Sequence, residues 1–592
     1  MVRALASLCL LAAVLLAPAE ARAWAWGDTL TTIWKPLPNL PQLARPGDTV
    51  QVWANAPQST TGWLATLTYG DLEIALPAAG GGWQATRQRW ELGFVVPPGT
   101  PEEMYDLVLA AEATPPDTSR HSVRVLPAYR TDFYFAQISD THLPEHTFST
   151  PGAGFSVADT SGFPDFNAVA ADLNLIHPEF ILHTGDLVNE GELEDWLAMY
   201  EMSRAKAALS RLRDPIFVVS GNHDIGGWDA SPPPDGTGRR NWWKLFGWPS
   251  LDAPPAGDPV HHQNFGFDYG NLHVVGLETY INNGSYDGFR IAQYGAQSFA
   301  PEQMNWLTQH LAALPPGTKK LLFYHYDFGG TLANGSPGAN FSQINPATLG
   351  VDGVIWGHNH GVAEGNRTAK PFNLGLQSVI DGRRTFRTFR YSNGVITPGP
   401  MHHAGTTLDS LSQSWNGNND GTADDLTTTI INRYNESWPN ARQVFHMNPG
   451  WPAYVATNGT VVQELDHDGM HDVYVEFTLP ASGTIPLRVE GTYPLDVPAG
   501  ELAARVRLAP PAPNPAPRGR AVSISFSLPS PANDLDLGVF DVSGRRVATL
   551  ARGPLGAGPH AVQWEGAAAP GLYFVRLTTL GSIRVSKLAL LP

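Results

Sequence analysis

The sequence has almost no cysteine and no long apolar run beyond its N-terminus, and each shortage excludes a class of protein. Cys9 is the only cysteine among the 592 residues. A chain without a cysteine pair forms no internal disulfide, so burial alone must hold the fold together. Beyond the N-terminal segment, no window reaches about 18 apolar residues, which argues against a transmembrane helix.

The sequence also lacks any block of basic residues. Its formal net charge is −17, and its Lys and Arg residues are scattered. This charge balance argues against polymeric nucleic acid as a stable partner, because such binding needs clustered positive charge. It does not exclude a small anionic substrate held by metal ions. The composition, 42% apolar and 16% charged, is that of a globular protein, and the length predicts roughly four domains.

The N-terminal segment has the pattern of a signal peptide covering residues 1–23. Arg3 supplies the positive end, Leu5–Leu16 form a short apolar stretch, and Ala21–Ala23 form an A-x-A cleavage site. A retained membrane anchor is the alternative, which the shortness of the apolar stretch disfavours. We therefore expect an exported protein located in the periplasm, on the cell surface or outside the cell.

The patterns of apolar, Pro and Gly residues along the remaining chain predict four modules. Residues 28–127 alternate short β-rich stretches with Pro and Gly, which indicates a β-sandwich. Residues 128–385 alternate apolar strands with helical stretches, which predicts an α/β domain with buried sheets. Residues 386–500 are predicted to form a β-rich module. A Pro-rich linker at Pro510–Gly519 opens the last module, residues 508–592, whose period-two patterns predict a further β-sandwich.

Five predicted strands of the α/β domain end in side chains that can bind metals. Each ending taken alone resembles an ordinary turn, because Gly, Asn and Asp are common turn residues. In open α/β sheets, however, ligands bind outside the carboxyl ends of the strands. Five such endings in one domain therefore predict one site. They are Asp140-Thr141-His142, Gly185-Asp186, Gly221-Asn222-His223-Asp224, His325 and Gly357-His358-Asn359-His360.

These residue types suit a centre with two divalent or transition-metal ions. Two ions about 3.5–4 Å apart need a bridging carboxylate together with imidazole, carboxylate and amide ligands. Nitrogen and oxygen ligands without thiolate favour Mn, Fe, Zn or Co. Gly185, Gly221 and Gly357 are expected to let the backbone approach the site closely.

The motifs, in this order over about residues 130–385, resemble those of the calcineurin-like metallophosphoesterase superfamily. The resemblance implies a four-layer αββα sandwich and two metal sites that share Asp186. It implies that the first metal is held by Asp140, His142, Asp186 and His360, and the second by Asp186, Asn222, His325 and His358.

The same resemblance implies a mechanism, in which a metal-bridging hydroxide attacks phosphorus. His223 would stabilise the transition state or protonate the leaving oxygen, and Asp224 would orient His223. The segment from Gly185 lacks the arginine of the protein Ser/Thr phosphatase branch, and Asn189 replaces the metal-binding tyrosine of purple acid phosphatases. The pattern is nearest the cyclic-nucleotide phosphodiesterase-like branch.

Two further segments leave alternatives open. Asn416–Asp425 resembles the start of a calcium loop, but Thr427 stands where an EF-hand would have its closing glutamate, so a solvated turn is the alternative. The terminal module, with Pro513–Pro515, "VFDVSGRRVATL", "GLYFVRL" and "KLALLP", resembles the immunoglobulin-like sorting domains of exported bacterial enzymes, including the type IX secretion kind. That resemblance implies a secretion-machinery or cell-surface partner, and a structural spacer is the alternative.

Together these patterns predict an exported binuclear-metal phosphoesterase that hydrolyses small phosphodiesters or phosphomonoesters. One alternative is a phosphomonoesterase of the nucleotidase or acid phosphatase kind. The other is a cell-surface scaffold with an inactive phosphoesterase fold. Loss of a metal ligand would support the scaffold, whereas all the expected ligands are present.

Overall fold

The structure is a computed structural model in which the following residues are described: 31–112, 114–143, 162–189, 195–225, 242, 245–247, 264–278, 301–325, 345–361, 365–406, 410–492, 506–509, 511–528, 530–542, 544–579 and 582–592. The predicted signal peptide, residues 1–23, lies outside the described residues. In the described parts of the chain, no helix has both the length and the apolar character needed to cross a membrane.

The chain divides into two compact units. The first contains residues up to Ser412 together with Ile431–Arg442 and Thr478–Gly483. The second contains Gln413–Ile430, Gln443–Phe477 and Thr484–Pro592. Every metal-capable strand ending that the sequence indicates lies in the first unit.

The first unit begins with two small sheets of alternating strands. Their orders are β1-β3-β7-β6 and β2-β9-β8-β4-β5. Val50 and Val52 alternate with more exposed neighbours along β3 and pack with Leu67 and Tyr105 in one apolar core. The strands are β1 (Ile33–Lys35), β2 (Gln42–Ala44), β3 (Thr49–Ala54), β4 (Leu64–Tyr69), β5 (Leu72–Leu76), β6 (Ala78–Gln84), β7 (Arg89–Val95), β8 (Glu103–Ala111) and β9 (Thr114–Val125).

Strands and helices alternate in the domain that follows. The elements are β10 (Asp132–Ile138), α1 (Gly162–Ile176), β11 (Ile181–His183), α2 (Asp195–Ala208), a 3-10 turn (Leu209–Arg211), β12 (Ile216–Val218), α3 (Asn222–Ile225), β13 (Phe265–Tyr269), β14 (Leu272–Gly276), α4 (Pro301–Ala312), β15 (Lys319–Phe323), α5 (Pro346–Leu349), β16 (Gly353–Trp356), β17 (Phe372–Gly375), β18 (Thr385–Ser392) and β19 (Val395–His403).

Two five-stranded sheets pack against each other in this domain. Their orders are β12-β11-β10-β18-β19 and β13-β14-β15-β16-β17. Phe135 of the first sheet stacks on Phe180 and Phe389 inside the core that the sheets share. In β15, Leu321 belongs to that core, whereas the next residue, Leu322, packs in a second cluster with α4. Side chains that alternate in this way place helices outside the paired sheets, and the predicted α/β sandwich flanked by β modules is confirmed.

The α/β domain continues past its predicted end at residue 385. Strand β18 pairs antiparallel with β10, and β19 adds the edge strand. Asn393 and Gly394, both with positive φ, form the turn between β18 and β19. An Asn-Gly pair between two apolar stretches is the strongest short-range hairpin signal, so this extension was readable from the sequence.

The rest of the described chain is β-structure, as expected. Seven strands follow: β20 (Leu411–Asn416), β21 (Asp425–Asn432), β22 (Trp438–Met447), β23 (Ala453–Thr457), β24 (Thr460–His467), β25 (Met470–Leu479) and β26 (Thr484–Thr492). The terminal module has sheets of order β27-β29-β32 and β28-β34-β33-β30-β31. Its strands are β27 (Arg507–Leu508), β28 (Ala516–Pro517), β29 (Val522–Leu528), β30 (Ala532–Asp541), β31 (Arg546–Leu555), β32 (Gly558–Trp564), β33 (Gly571–Thr579) and β34 (Ser582–Leu591).

The acidic residues of the calcium-like loop do not converge in the structure. Each carboxylate has its own partner: Asp420 accepts from Thr422, Asp424 from Trp451 and Asn448, and Asp425 pairs with Arg488. The described contacts therefore favour the solvated turn over a calcium site.

Candidate metal centre

All seven predicted metal ligands are described, and the structure brings them together. Each follows a strand of one of the two packed sheets: Asp140 and His142 follow β10, Asp186 follows β11, Asn222 follows β12, His325 follows β15, and His358 and His360 follow β16. Apart from His358 and His360, these side chains are almost entirely buried. His and Asp residues form three overlapping groups here, and within each group the ligand atoms lie within 4.8 Å of one another.

The first cluster consists of Asp140, His142 and His360. The Nε2 atoms of His142 and His360 are 3.1 Å apart, and His360 Nε2 is 3.6 Å from Asp140 Oδ1. Metal–ligand bonds of about 2.0–2.2 Å place neighbouring ligand atoms roughly 3 Å apart, so these separations suit a shared ion.

The second cluster consists of Asn222, His325 and His358. The Asn222 amide oxygen Oδ1 is 3.2 Å from His325 Nε2 and 2.9 Å from His358 Nδ1. The same two imidazole nitrogens are 3.1 Å from each other. This cluster matches the second predicted ligand set.

Asp186 lies between the two clusters. One of its oxygens, Oδ2, is 3.7 Å from His142 Nε2 and 3.0 Å from His325 Nε2. The other oxygen, Oδ1, accepts a hydrogen bond of 2.9 Å from the backbone N–H of His223. A single carboxylate oxygen thus faces both clusters, which is the position expected of a bridging ligand.

The far ring nitrogens of three histidines show which nitrogens face the centre. His142 Nδ1 is 3.0 Å from Asn189 Oδ1, His325 Nδ1 is 2.8 Å from the Thr184 carbonyl, and His360 Nδ1 is 3.1 Å from the Asp381 carboxylate. Each partner is a hydrogen-bond acceptor for an Nδ1–H group, so Nε2 is the nitrogen with which each of these rings can bind a metal ion.

A centre built from converging lone pairs requires a cation. The Nε2 lone pairs of His142 and His360 face each other, and the buried Asp140 Oδ1 has no hydrogen-bond partner among the described residues. The donors are imidazole, carboxylate and amide groups, which suit Mn, Fe or Zn. The residues present therefore fit the two ions that the sequence predicts.

The pKa shifts of the ligand histidines also fit a metal centre. Burial lowers the pKa of His142 well below its ordinary value and that of His358 to about 3, so both rings are neutral near pH 7 and able to bind metal. Burial alone would also lower the pKa of His325, but the Asp186 carboxylate raises it to about 9. The Asp186 carboxylate therefore stabilises a positive charge on or next to the His325 ring.

The backbone is strained at the ligands. Asp140, His142, Asp186 and His358 have positive φ values of 51°, 43°, 53° and 68°. This left-handed conformation costs roughly 1–2 kcal/mol for a residue with a Cβ. Backbone hydrogen bonds hold it in place, since the N–H groups of Asp140 and His142 donate to the carbonyls of Gly185 and Asp186.

All three predicted glycines are needed because no Cβ fits. A Cβ at Gly185, where φ is 97°, would lie 2.6 Å from His325 Nδ1. A Cβ at Gly221 would overlap the Asp186 carboxylate, and a Cβ at Gly357 would overlap Ser139 and approach Asp140 Oδ2. The close backbone approach expected from the sequence is therefore present on both sides of the centre.

His223 and Asp224 have separate partners. His223 Nδ1 is 2.6 Å from the Asn189 carbonyl oxygen, and its ring lies 4.7 Å from the His142 ring. Both oxygens of the buried Asp224 accept from the backbone N–H groups of Gly221, Leu187 and Val188. Asp224, which was expected to orient His223, thus contacts backbone N–H groups, whereas the His223 ring contacts Asn189. The two residues are neighbours within α3, where consecutive side chains point in different directions.

Asp224 instead connects the two turns that carry Asp186 and Asn222. Burial, and then the charge of Asp186, raises its pKa to about 7, although the three backbone N–H groups oppose that shift. Its hydrogen bonds fix the spacing of the turns rather than the direction of an imidazole.

His183, for which no role was predicted from the sequence, also supports the centre. The buried His183 accepts from the Gly185 N–H through Nδ1 and contacts the Thr141 hydroxyl through Nε2 at 2.9 Å. Thr141 in turn donates to the Leu187 carbonyl. The sequence signal for this role is that His183 is a polar residue at the end of the apolar stretch "FILH".

Comparisons with known proteins agree with this geometry. Residues 133–362 match the family model described as calcineurin-like phosphoesterase, and all seven ligands lie in the matched segment. The chain therefore contains a calcineurin-like metallophosphoesterase domain, of a family that binds two divalent metals. The comparison with curated proteins found no match.

Likenesses to solved structures are remote. A dimetal phosphatase from Danio rerio is 14% identical over 51% of this chain and 96% of its own, with a TM-score of 0.32. A glycosyl hydrolase family 2 member from Bacteroides cellulosilyticus is 8% identical over 96% of this chain and 79% of its own, with a TM-score of 0.20.

Replacing Asp186 with asparagine should empty both metal sites. Asp186→Asn keeps the side chain's size but removes the charge that both clusters share, so bound manganese should fall from about two ions per chain to less than one. Elemental analysis after equilibration with Mn²⁺ and desalting measures this content. Asp132→Asn, at an exposed carboxylate paired with Arg390, is the control and should keep both ions. An Asp186→Asn protein with two ions would contradict the bridging assignment.

Proposed function

We propose that this protein is an exported, metal-dependent phosphoesterase that hydrolyses small phosphate esters at a centre with two metal ions. The observation that carries the proposal is the position of Asp186 Oδ2, which faces both ligand clusters at 3.7 Å and 3.0 Å. The calcineurin-like phosphoesterase match over residues 133–362 supports the same reaction class.

The ligand sets assign a side chain to each task. Two bound divalent ions would polarise the phosphoryl oxygens and lower the pKa of water, so that hydroxide is available at neutral pH. One ion would be held by Asp140, His142 and His360, the other by Asn222, His325 and His358, with Asp186 shared. The metals we favour are Mn, Fe or Zn, because all the ligands are nitrogen or oxygen atoms.

His223 is the residue we assign to the leaving group. Its Nδ1 is 2.6 Å from the Asn189 carbonyl oxygen, a contact that holds the ring beside the centre. A ring nitrogen of His223 lies within 4.8 Å of ligand atoms of His142 and Asp186, close enough to reach an ester bound between the clusters. There it would donate a proton to the oxygen that leaves phosphorus.

For the bond type, we propose a phosphodiesterase related to the cyclic-nucleotide phosphodiesterase-like branch. The support is the motif pattern, with His142 in the first motif and no arginine after Asn189. Phosphomonoester hydrolysis is the second candidate, because the same two ligand clusters would serve either ester.

Activity against two matched esters tests the proposal. We expect the manganese-loaded protein to hydrolyse bis-p-nitrophenyl phosphate faster than p-nitrophenyl phosphate, and to lose both activities when a chelator removes the metal. A higher rate on the monoester would favour the second candidate. A protein that holds two ions and hydrolyses neither these esters nor a wider panel of phosphate esters would support the inactive scaffold and contradict the proposal.

Removing the His223 imidazole should slow catalysis without loss of metal. His223→Ala is expected to lower kcat by about 10²–10⁴ on a phenyl phosphate ester, because a positioned acid contributes on that scale. The loss should be smaller on the p-nitrophenyl analogue, whose leaving group hardly needs a proton. The measurements are kcat on both esters and metal content on the same samples.

Equal losses on the two esters would show that His223 stabilises phosphoryl charge and is not the acid. Loss of metal in His223→Ala would show that His223 is itself a ligand. Asn222→Ala serves as the contrast, since it removes an oxygen of the second cluster and should weaken metal binding.

Export and the role of the terminal module belong to the proposal as well. Their support is the A-x-A pattern at Ala21–Ala23 and the resemblance of residues 508–592 to sorting domains. We expect mass spectrometry of the secreted protein to find an N-terminus at Trp24. Deletion of residues 508–592 should change where the protein accumulates while kcat stays nearly constant. An intact Met1 on the exported protein, or an inactive truncated enzyme, would contradict these assignments.

A further inference from the structure

Asn189 contacts two residues of the centre through two different atoms. Its side-chain oxygen Oδ1 is 3.0 Å from His142 Nδ1, and its backbone carbonyl oxygen is 2.6 Å from His223 Nδ1. The first contact reaches a metal ligand, and the second reaches the residue assigned to the leaving group.

The side-chain contact determines which nitrogen of His142 can bind metal. His142 Nε2 faces the centre, 3.1 Å from His360 Nε2 and 3.7 Å from Asp186 Oδ2. For Nε2 to offer a lone pair in a neutral ring, the proton must sit on Nδ1, and a proton there needs an acceptor. Asn189 Oδ1 is that acceptor.

The backbone contact acts on His223 in the same way. A hydrogen bond from Nδ1–H to the Asn189 carbonyl restrains the orientation of the His223 ring, one nitrogen of which lies within 4.8 Å of ligand atoms of His142 and Asp186. The His142 and His223 rings lie edge to face with centroids 4.7 Å apart, and both contact Asn189.

We propose that Asn189 is a positioning residue that sets the metal affinity of His142 through its side chain and the orientation of His223 through its backbone carbonyl. The proposal rests on the proposed function for the role of His223, whereas the role of His142 requires only that the centre bind metal. The two effects come from different atoms, so a side-chain substitution separates them.

Because the two contacts use different atoms of Asn189, a side-chain substitution should change metal binding but not the orientation of His223. Asn189→Ala removes Oδ1 but keeps the carbonyl, so metal should bind more weakly while His223 stays in place. Loss of a hydrogen bond to a metal-bound histidine typically costs about 10–100-fold in metal affinity, and we expect a loss of that size. Asn189→Asp keeps an acceptor oxygen in the same position and should bind Mn²⁺ at least as tightly as the native protein.

The experiment combines calorimetric titration with Mn²⁺ and kcat on the phenyl and p-nitrophenyl esters at saturating Mn²⁺. We expect Asn189→Ala to raise the Kd about 10–100-fold and to keep the ratio of the two kcat values within about twofold of the native ratio. Asn366→Ala, the same substitution at an exposed residue whose side chain accepts hydrogen bonds from Thr368, is the matched control and should leave Kd unchanged.

Three results would overturn the proposal. Native metal affinity in Asn189→Ala would remove the role of the side chain. A kcat ratio shifted as in His223→Ala would show that the side chain, not the carbonyl, orients His223. If Asn189→Ala does not fold, the Asp variant decides, because a tenfold loss of Mn²⁺ affinity there would contradict an acceptor role. Two bound ions without turnover on either ester would count against the proposed function alone, since the calorimetric result needs no catalysis.

Discussion

The structure depends on one electrostatic constraint: ligand atoms of seven side chains converge on a small buried volume, and positive charge is needed there to offset the cost of burying them. The Nε2 atoms of His142 and His360 are 3.1 Å apart, and the buried Asp140 Oδ1 accepts no hydrogen bond from any residue that the structure describes. In water these groups would repel one another and remain hydrated. Divalent cations remove both penalties, which is why the domain is best understood as a scaffold for a metal centre.

The fold meets this constraint by ending its strands at one edge and holding the loops rigidly. Strained residues such as Asp140 and Asp186 keep their left-handed conformations because backbone hydrogen bonds connect the first and second loops. Two buried residues add further contacts. Asp224 accepts from backbone N–H groups, and His183 contacts Gly185 and Thr141. The strained backbone lowers the stability of the fold locally, and burial of the apolar core between the two sheets offsets that loss.

The ligands could be predicted from the sequence because each combines a metal-capable side chain with the end of an apolar strand. The partners of those ligands could not, since they depend on side-chain direction. Asp224 follows His223 in the chain but points away from it within one helical turn, whereas Asn189, 34 residues earlier, contacts it. Strand β18, which begins at the predicted domain end, pairs with β10 and is buried on both faces, so its burial does not alternate as in a half-exposed strand, and the Asn393-Gly394 turn is the clearer signal.

The most direct test of this account is a crystal structure of the manganese-loaded protein with anomalous diffraction data collected at the manganese edge. The account predicts two anomalous peaks about 3.5–4 Å apart, with Asp186 Oδ2 between them and His142 and His325 on opposite sides. A single peak, or two peaks that do not share Asp186, would contradict the central claim that one buried carboxylate joins the two ligand clusters.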